Sequence, residues 1–167
     1  MVVVIDDGQG FTNFVTEENI IKSKEALKTV EKADAVILSN NIDENVCEKI
    51  VKNLSSPCLA VGKSAAIVAK VFGAKSEGNI KNKRAVIIKA HSPITLGLKK
   101  RFIADGSVYK IKDMPEDFKI IANSRLGIEI YQHIQFPIFG VCFSAGTEIK
   151  TIVKNFLSFL DMWKKYH

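Results

Sequence analysis

Short apolar runs alternate with amphipathic segments along most of the chain. Five short, mainly apolar runs predict buried strands, at residues 2–5, 35–39, 58–61, 84–90 and 138–143. Four segments with apolar positions at helical spacing predict helices, at residues 25–32, 43–53, 64–72 and 147–165. Asp43 is a typical N-cap residue, and Gly73 follows the third helix as a C-cap signal. Strands that alternate with helices predict a mostly parallel α/β sheet that is covered on both faces.

The stretch from residue 97 to residue 125 has a different pattern. Short strand-like pieces at residues 102–104, 107–111 and 118–122 are broken by Asp105-Gly106 and by Met114-Pro115. We expect small antiparallel strands here, inserted beside the main sheet. Because no repeat, low-complexity segment or linker divides the chain, residues 1–167 are expected to form a single domain.

Composition narrows the class of protein. The 167 residues are 47% hydrophobic and 25% charged, which is a globular balance with enough apolar material for a core. No apolar run approaches the roughly 18 residues that cross a bilayer. The opening MVVVIDDGQGF has no basic n-region, so we expect a cytoplasmic protein without a membrane partner.

The charged residues and the possible metal ligands argue against a nucleic-acid-binding protein and against a metalloprotein. The net charge of +6 comes almost entirely from scattered lysines, which favours a solvated surface over nucleic-acid binding. The three cysteines and three histidines do not follow a metal-site pattern, so neither a metal nor a cofactor is expected.

One segment carries a specific resemblance. Residues 57–75 read PCLAVGKSAAIVAKVFGAK, which is similar to P-x-L-G-I-C-L-G-H-Q-x-x-A-x-x-F-G-G-K, the nucleophile segment of class I glutamine amidotransferases. In that frame the position of the cysteine nucleophile falls on Gly62. The family's L-G-H-Q is replaced by Lys63, Ser64, Ala65 and Ala66.

Two other catalytic segments of this family have counterparts in the chain. Residues 137–146 read PIFGVCFSAG and resemble the strand that ends in G-x-x-F-H-P-E, which places Ser144 at the histidine position and Gly146 at the glutamate position. The oxyanion loop S-G-G-P corresponds to Ser39-Asn40-Asn41-Ile42. None of the catalytic residue types is present at these positions.

The scaffold between these segments resembles the glutaminase subunit of archaeal-type GMP synthetase. The opening VVVIDDGQGF, the segment LGLKKRF and the segment MPEDFKIIANS follow that branch in order, so the resemblance covers nearly the whole chain. Its substrate-loop motif S-H-x-D is absent near Gly106, Ser107 and Tyr109. Residues 10–32 are too few for a full helix and a second strand, so the first α/β unit is expected to be trimmed. The resemblance implies a flavodoxin-like layered fold.

Two functional hypotheses follow from the absence of the family's catalytic residue types at these positions. Amide hydrolysis in this family needs a thiolate, a histidine and oxyanion donors. The first hypothesis is therefore a catalytically inactive homologue that binds a protein partner, such as a synthetase, or a small anionic ligand. The alternative is a divergent amidotransferase, or another hydrolase, that uses relocated residues in the same cleft.

The sequence also predicts where a ligand would bind. Gly62-Lys63-Ser64 matches the end of a P-loop, but Pro57 stands at the upstream glycine position, so the full motif fails. We expect Gly62 at a strand-to-helix turn beside Ser144, with an anion site formed by Lys63, Ser64, Asn40 and Asn41. The alternative is that Lys63 and Ser64 only cap the helix.

The remaining reactive side chains have two interpretations each. Cys142 and Cys58 lie within predicted strands and are expected to be inert core residues, whereas Cys47 lies on a helix and could face solvent. Asp6 and Asp7 end the first strand, where they could hold a ligand or, more commonly, cap the following turn.

Overall fold

The computed structural model describes residues 1–8, 11, 15, 19–81 and 83–167. It contains eleven strands within these ranges, which are β1 Val2–Ile5, β2 Ile20–Ile21, β3 Ala35–Leu38, β4 Cys58–Val61, β5 Lys75–Lys81, β6 Arg84–Ile88, β7 Arg101–Ala104, β8 Ser107–Asp113, β9 Phe118–Ser124, β10 Gly127–His133 and β11 Ile138–Val141. The four described α-helices are α1 Ser23–Val30, α2 Glu44–Lys52, α3 Lys63–Val71 and α4 Thr147–Tyr166, and a 3-10 helix lies at Pro93–Thr95. All five predicted buried strands and all four predicted helices are present.

Nine of the described strands form one sheet in the order β2-β1-β3-β4-β11-β10-β9-β6-β7. The pairs β2-β1, β1-β3, β3-β4 and β4-β11 are parallel. This half has the spatial order 2-1-3-4-5 that is typical of flavodoxin-like folds, if β11 is counted as the fifth strand. The layered α/β fold is therefore confirmed.

The other half of the sheet is antiparallel and larger than the sequence indicated. Strands β10, β9, β6 and β7 continue the main sheet from β11. Strands β7 and β9 thus belong to the main sheet and do not lie beside it, which corrects that part of the prediction. Of the three predicted pieces, only β8 lies outside the main sheet, where it pairs with β5 in a separate two-stranded sheet.

Helices cover both faces of the sheet. Apolar side chains of α1, α2 and α3 pack with Val3, Ile5 and their neighbours on one face, whereas α4 packs on the other face. The Asp43 carboxylate accepts a hydrogen bond from Val46 N at 3.0 Å, so the predicted cap of α2 is confirmed. Gly73 follows α3 with φ 100°, a conformation that favours glycine.

The first α/β unit is described only in part, so the expectation that it is trimmed stays a prediction. Strand β2 has two residues and leads into α1 after Lys22. Most of residues 9–18, where the helix of a full unit would begin, lie outside the described residues. No described helix is both long enough and apolar enough to cross a membrane.

Candidate functional site

The loops that the resemblance assigns to catalysis meet at one edge of the sheet. Ile5 pairs with Leu38, Leu38 with Ala60, and Val61 with Val141. Because these strands are parallel, the loops that follow them lie side by side at the carboxyl edge, where open α/β sheets bind ligands. Gly62 and Ser144 follow the neighbouring strands β4 and β11, as predicted.

Gly62 forms a sharp turn between β4 and α3, which we call the elbow turn (residues 61–64). Its φ is 63° and its ψ is −123°, and its N–H donates to Val141 O at 2.7 Å. Residues other than glycine rarely adopt this backbone conformation, although nucleophile elbows hold their catalytic residue on such a turn. The elbow turn is therefore present, but it presents a glycine.

The side chain of Asn40 fills the space above the elbow turn. Its Oδ1 accepts a hydrogen bond from Lys63 N at 2.8 Å. A Cβ atom placed on Gly62 would lie 2.2 Å from Asn40 Oδ1 and 2.8 Å from its Cγ. The N–H after a nucleophile usually contributes to the oxyanion hole. Here the corresponding donor already has a protein partner, so it is not free to bind an anion as the sequence suggested.

Ser64 is buried beneath the same turn. Its hydroxyl donates to Ser39 O at 2.5 Å, and the residue is inaccessible to solvent. The prediction that Ser64 supplies a donor to an anion is therefore wrong, because this hydroxyl ties α3 to the end of β3.

Asn41 joins two loops at the carboxyl edge. Its carbonyl oxygen accepts from Asp7 N at 2.7 Å, and its own N–H donates to Ser39 Oγ at 3.0 Å. A Cβ atom on Gly8 would lie 2.7 Å from Asn41 Nδ2, so the amide packs directly over that glycine. Asn41 therefore holds the loop after β3 against the loop after β1.

The two acidic residues after β1 cap local structure. Buried Asp6 accepts from Ser39 Oγ at 2.9 Å and from Gly8 N at 3.0 Å. Asp7 accepts from Ser23 N at 2.8 Å and from Ser23 Oγ at 2.5 Å, at the start of α1. Burial opposes ionisation of Asp7, but the hydrogen bonds from Ser23 outweigh it and lower the pKa of this carboxyl. The predicted capping of the following turn is confirmed for Asp6, whereas Asp7 binds the first residue of α1 instead.

Ser144 and Gly146 complete the edge on the β11 side. Ser144 N donates to Asp105 O at 3.3 Å, and a Cβ atom on Gly106 would lie 2.2 Å from Ser144 Oγ. Gly146 precedes α4 with φ 121°. Thus Ser144 packs on the loop between β7 and β8, and no carboxylate is attached at position 146.

A buried ion pair behind this loop was not predicted from the sequence. Arg84 and Glu129 are almost inaccessible to solvent, and Arg84 Nη2 lies 2.8 Å from Glu129 Oε1. Arg84 Nη1 also donates to Gly106 O at 3.0 Å. Burial raises the pKa of the Glu129 carboxyl, and the Arg84 guanidinium opposes this rise. The only sequence signal was an arginine at the start of an apolar strand.

All three cysteines are buried. Cys58 and Cys142 lie in or directly after buried strands, and burial raises the pKa of both thiols. Cys47 is also buried, and burial raises the pKa of its thiol to about 12, so the idea that it could face solvent is wrong. Among the described residues, no three side chains of the metal-ligating types lie together.

A cleft of about 190 Å³ opens beside the elbow turn, between α3 and the small β5–β8 sheet. The residues that line it are Glu44, Lys63, Ala66, Ile67, Lys70, Ser76, Gly78 and Tyr109. Of the predicted ligand-binding residues, only Lys63 lines this cleft.

Comparison of the sequence with models of known families and with curated proteins finds no match. Solved structures do match the fold. A protein described as part of a GMP synthase, from Thermoplasma acidophilum, has a TM-score of 0.84 at 18% identity, covering 99% of this chain and 96% of its own. A glutamine amidotransferase from Thermotoga maritima has a TM-score of 0.63 at 15% identity, covering 99% of this chain and 85% of its own. A ThuA-like protein from Bacteroides uniformis has a TM-score of 0.64 at 11% identity, covering 95% of this chain and 89% of its own.

These likenesses extend over nearly the whole length of the chain and agree with the flavodoxin-like strand order. At such identities they concern the backbone and not the chemistry at the carboxyl edge. The chain therefore has the fold of the class I glutamine amidotransferases.

Proposed function

We propose that this chain is a non-catalytic glutamine amidotransferase-like protein of the cytoplasm, which binds a small ligand or a protein partner through the carboxyl edge of its sheet. The observation that carries the proposal is the Asn40 amide. It occupies the space that a nucleophile on Gly62 would need, and it accepts the hydrogen bond from Lys63 N.

The chemistry of glutamine hydrolysis explains why this arrangement matters. A thiolate must attack the carboxamide carbon, a base must first remove the thiol proton, and a donor must stabilise the oxyanion. Glycine at position 62 has no nucleophilic atom. Serine at position 144 cannot deprotonate a thiol near neutral pH. The donor at Lys63 N is already bound to Asn40.

A binding role is compatible with the named structural neighbours. The Thermoplasma acidophilum protein is described as one subunit of GMP synthase, and a subunit has a partner. By analogy, a synthetase-type protein is a reasonable candidate partner for this chain. Such a role needs the folded carboxyl edge but not a thiolate.

Ammonia release from glutamine tests the proposal. Wild-type protein should release no ammonia above the buffer rate, because an elbow turn without a nucleophile cannot form the acyl-enzyme. The double variant Gly62→Cys/Ser144→His should also be inactive, since the new side chain at position 62 would collide with Asn40 and position 146 would still lack a carboxylate.

The assay needs an active amidotransferase in parallel and a candidate synthetase in a second series. Glutamine turnover by the wild-type chain, alone or with the synthetase, would overturn the proposal and favour the divergent hydrolase. Turnover by the double variant alone would show that the edge of the sheet is still organised for catalysis and that Asn40 does not block it.

A further inference from the structure

We propose that the cleft between α3 and the β5–β8 sheet binds a small phosphomonoester, held by Lys63 and Lys70. This deepens the proposed function by naming a ligand class for the carboxyl edge. The ligand would lie beside the elbow turn and not in it, because Asn40 already accepts the hydrogen bond from Lys63 N.

The shape of the cleft suits a ligand of metabolite size. Its volume of about 190 Å³ is below the roughly 300–1,000 Å³ of pockets that hold drug-sized molecules. Lys63, Ala66 and Lys70 lie at helical spacing along one side of α3. Ala66 is buried and forms an apolar floor, and Tyr109 of β8 is half-buried on the opposite wall. A small organic group can therefore pack between the helix and the small sheet.

The charges of the cleft favour an anion. Two ammonium groups and one carboxylate, that of Glu44, line it, which gives a net charge of +1. Neither Lys63 nor Lys70 forms an ion pair with a carboxylate in the described ranges. Ser76, half-buried on β5, lines the same wall as Tyr109, so two residues with hydroxyl groups lie opposite the lysines. A ligand anion would supply the countercharge that the protein does not.

The spacing of the two lysines favours a dianion over a single carboxylate. Seven residues of α-helix separate their Cα atoms by about 10 Å, a gap that two long flexible side chains can close around one group. A phosphomonoester carries a charge of about −1.5 to −2 at neutral pH and offers three acceptor oxygens. A lysine ammonium group binds phosphate as a point charge, so both lysines can contact one phosphate group. A monocarboxylate carries a single negative charge, which one ammonium group already balances.

Calorimetric titration with O-phosphoethanolamine and with inorganic phosphate at low salt tests the site. Lys63→Gln and Lys70→Gln should each weaken binding of both probes by about tenfold or more, which is the loss expected for one charge-assisted hydrogen bond. Lys150→Gln is the matched control, because Lys150 is an exposed lysine of α4 on the other face of the sheet. Its affinity should stay within about twofold of wild type, as for a surface charge away from the site.

Two further measurements separate this site from general electrostatics. Glu44→Gln should tighten the binding of inorganic phosphate, because it removes the carboxylate that repels the anion. Succinate, a dicarboxylate, should bind more weakly than the phosphate ester. Backbone amide shifts in the NMR spectrum of the wild-type protein should change around Lys63–Val71, Ser76 and Tyr109, which locates the site without any substitution.

Several results would overturn the inference. These are an absence of binding by the wild type at millimolar probe, unchanged affinity in both lysine variants, an equal loss in Lys150→Gln, or shift changes at another part of the chain. Stronger binding of succinate would show that the site takes dicarboxylates instead. None of these outcomes bears on ammonia release, so this inference and the proposed function can fail separately.

Discussion

At the scale of single residues, the decisive contact is the one between Asn40 and Gly62. Glycine is favoured at position 62 for two reasons, because its backbone lies at φ 63° and because Asn40 Oδ1 would lie 2.2 Å from any Cβ atom. The first reason is a property of the turn alone. The second depends on the asparagine, so the two can be separated by substitution.

We expect Gly62→Ala to lower the free energy of unfolding by about 2–4 kcal/mol. Strain in the backbone contributes about 1–3 kcal/mol, and displacement of Asn40 loses a hydrogen bond worth about 1 kcal/mol. In an Asn40→Gly background the same substitution should cost about 1 kcal/mol less, since only the backbone strain remains. Urea denaturation of the four proteins gives the coupling between the two sites.

Gly73→Ala is a matched control for this cycle. Gly73 has φ 100°, and nothing lies within 4 Å of a Cβ atom placed on it. Its substitution should cost the same in the wild-type and Asn40→Gly backgrounds, because it has no contact with the Asn40 side chain. A coupling of zero at position 62 would show that Asn40 moves away freely and does not fill the site.

The sequence could predict which residues replace the catalytic ones but not what they do. The motif spacing placed Gly62 and Ser144 correctly, because strands β4 and β11 fix both loops. The same spacing could not reveal that Asn40 turns toward Lys63 N, or that Ser64 turns inward to Ser39 O. Side-chain direction at a loop depends on contacts from other loops, which no linear pattern contains.

At the scale of secondary-structure elements, the turn between β10 and β11 depends on one histidine. His133 Nδ1 accepts hydrogen bonds from Gln135 N and Phe136 N, each at 3.1 Å. The ring is buried against Phe118, with ring centres 4.7 Å apart. Burial lowers the pKa of His133, and the Asp117 carboxylate opposes this effect. Protonation of Nδ1 would remove the acceptor that organises the turn.

The stability of the protein should therefore fall as the pH decreases from about 7 to 5. An unfolded histidine has a pKa of about 6.5, and the folded value is lower, so the unfolded chain takes up a proton first. The contribution of neutral His133 to the free energy of unfolding is complete above about pH 6.5, and it is lost as the pH falls through the pKa of the folded state. Urea denaturation across this window measures it.

The variant His133→Asn separates this effect from other titrations. An asparagine amide oxygen can accept hydrogen bonds from the same turn but does not titrate. Its stability should be lower overall, from lost aromatic packing, but should change less than that of wild type between pH 7 and 5. Parallel pH curves for the two proteins would contradict the role of His133.

Elements differ in how well their sequence predicted them. Strands β1, β3 and β4 are buried or nearly so along their length, so an apolar run identified each of them. Strand β5 reads KSEGNIK and belongs to a two-stranded sheet outside the main one, so it has no such run. Strand β10 reads GIEIYQH and includes buried Glu129, a polar residue that the pattern assigns to the surface.

At the scale of the whole molecule, the buried ion pair joins distant parts of the chain. Arg84 begins β6 and Glu129 lies on β10, and β9 stands between these strands in the sheet. Arg84 also binds Gly106 O, on the loop where Ser144 packs. The antiparallel half of the sheet is thereby linked to the carboxyl edge of the parallel half.

Removing one member of this ion pair should destabilise the protein. Glu129→Leu should lower the free energy of unfolding by about 3–5 kcal/mol, because Arg84 stays buried without its carboxylate. The double variant Arg84→Met/Glu129→Leu should recover much of this loss. Urea denaturation compares both with Glu77→Gln, which breaks the exposed Lys112–Glu77 pair and should leave stability nearly unchanged. Equal losses for the single and double variants would contradict this interpretation.

The contact between Asn40 and Gly62 also makes the effect of substitutions at the two positions depend on their order. A cysteine at position 62 and an asparagine in the present conformation at position 40 cannot coexist, since their atoms would overlap. A side chain introduced at position 62 alone meets an occupied space. The same side chain introduced after Asn40 has been replaced by glycine meets only the strain of the turn, so the two positions are epistatic.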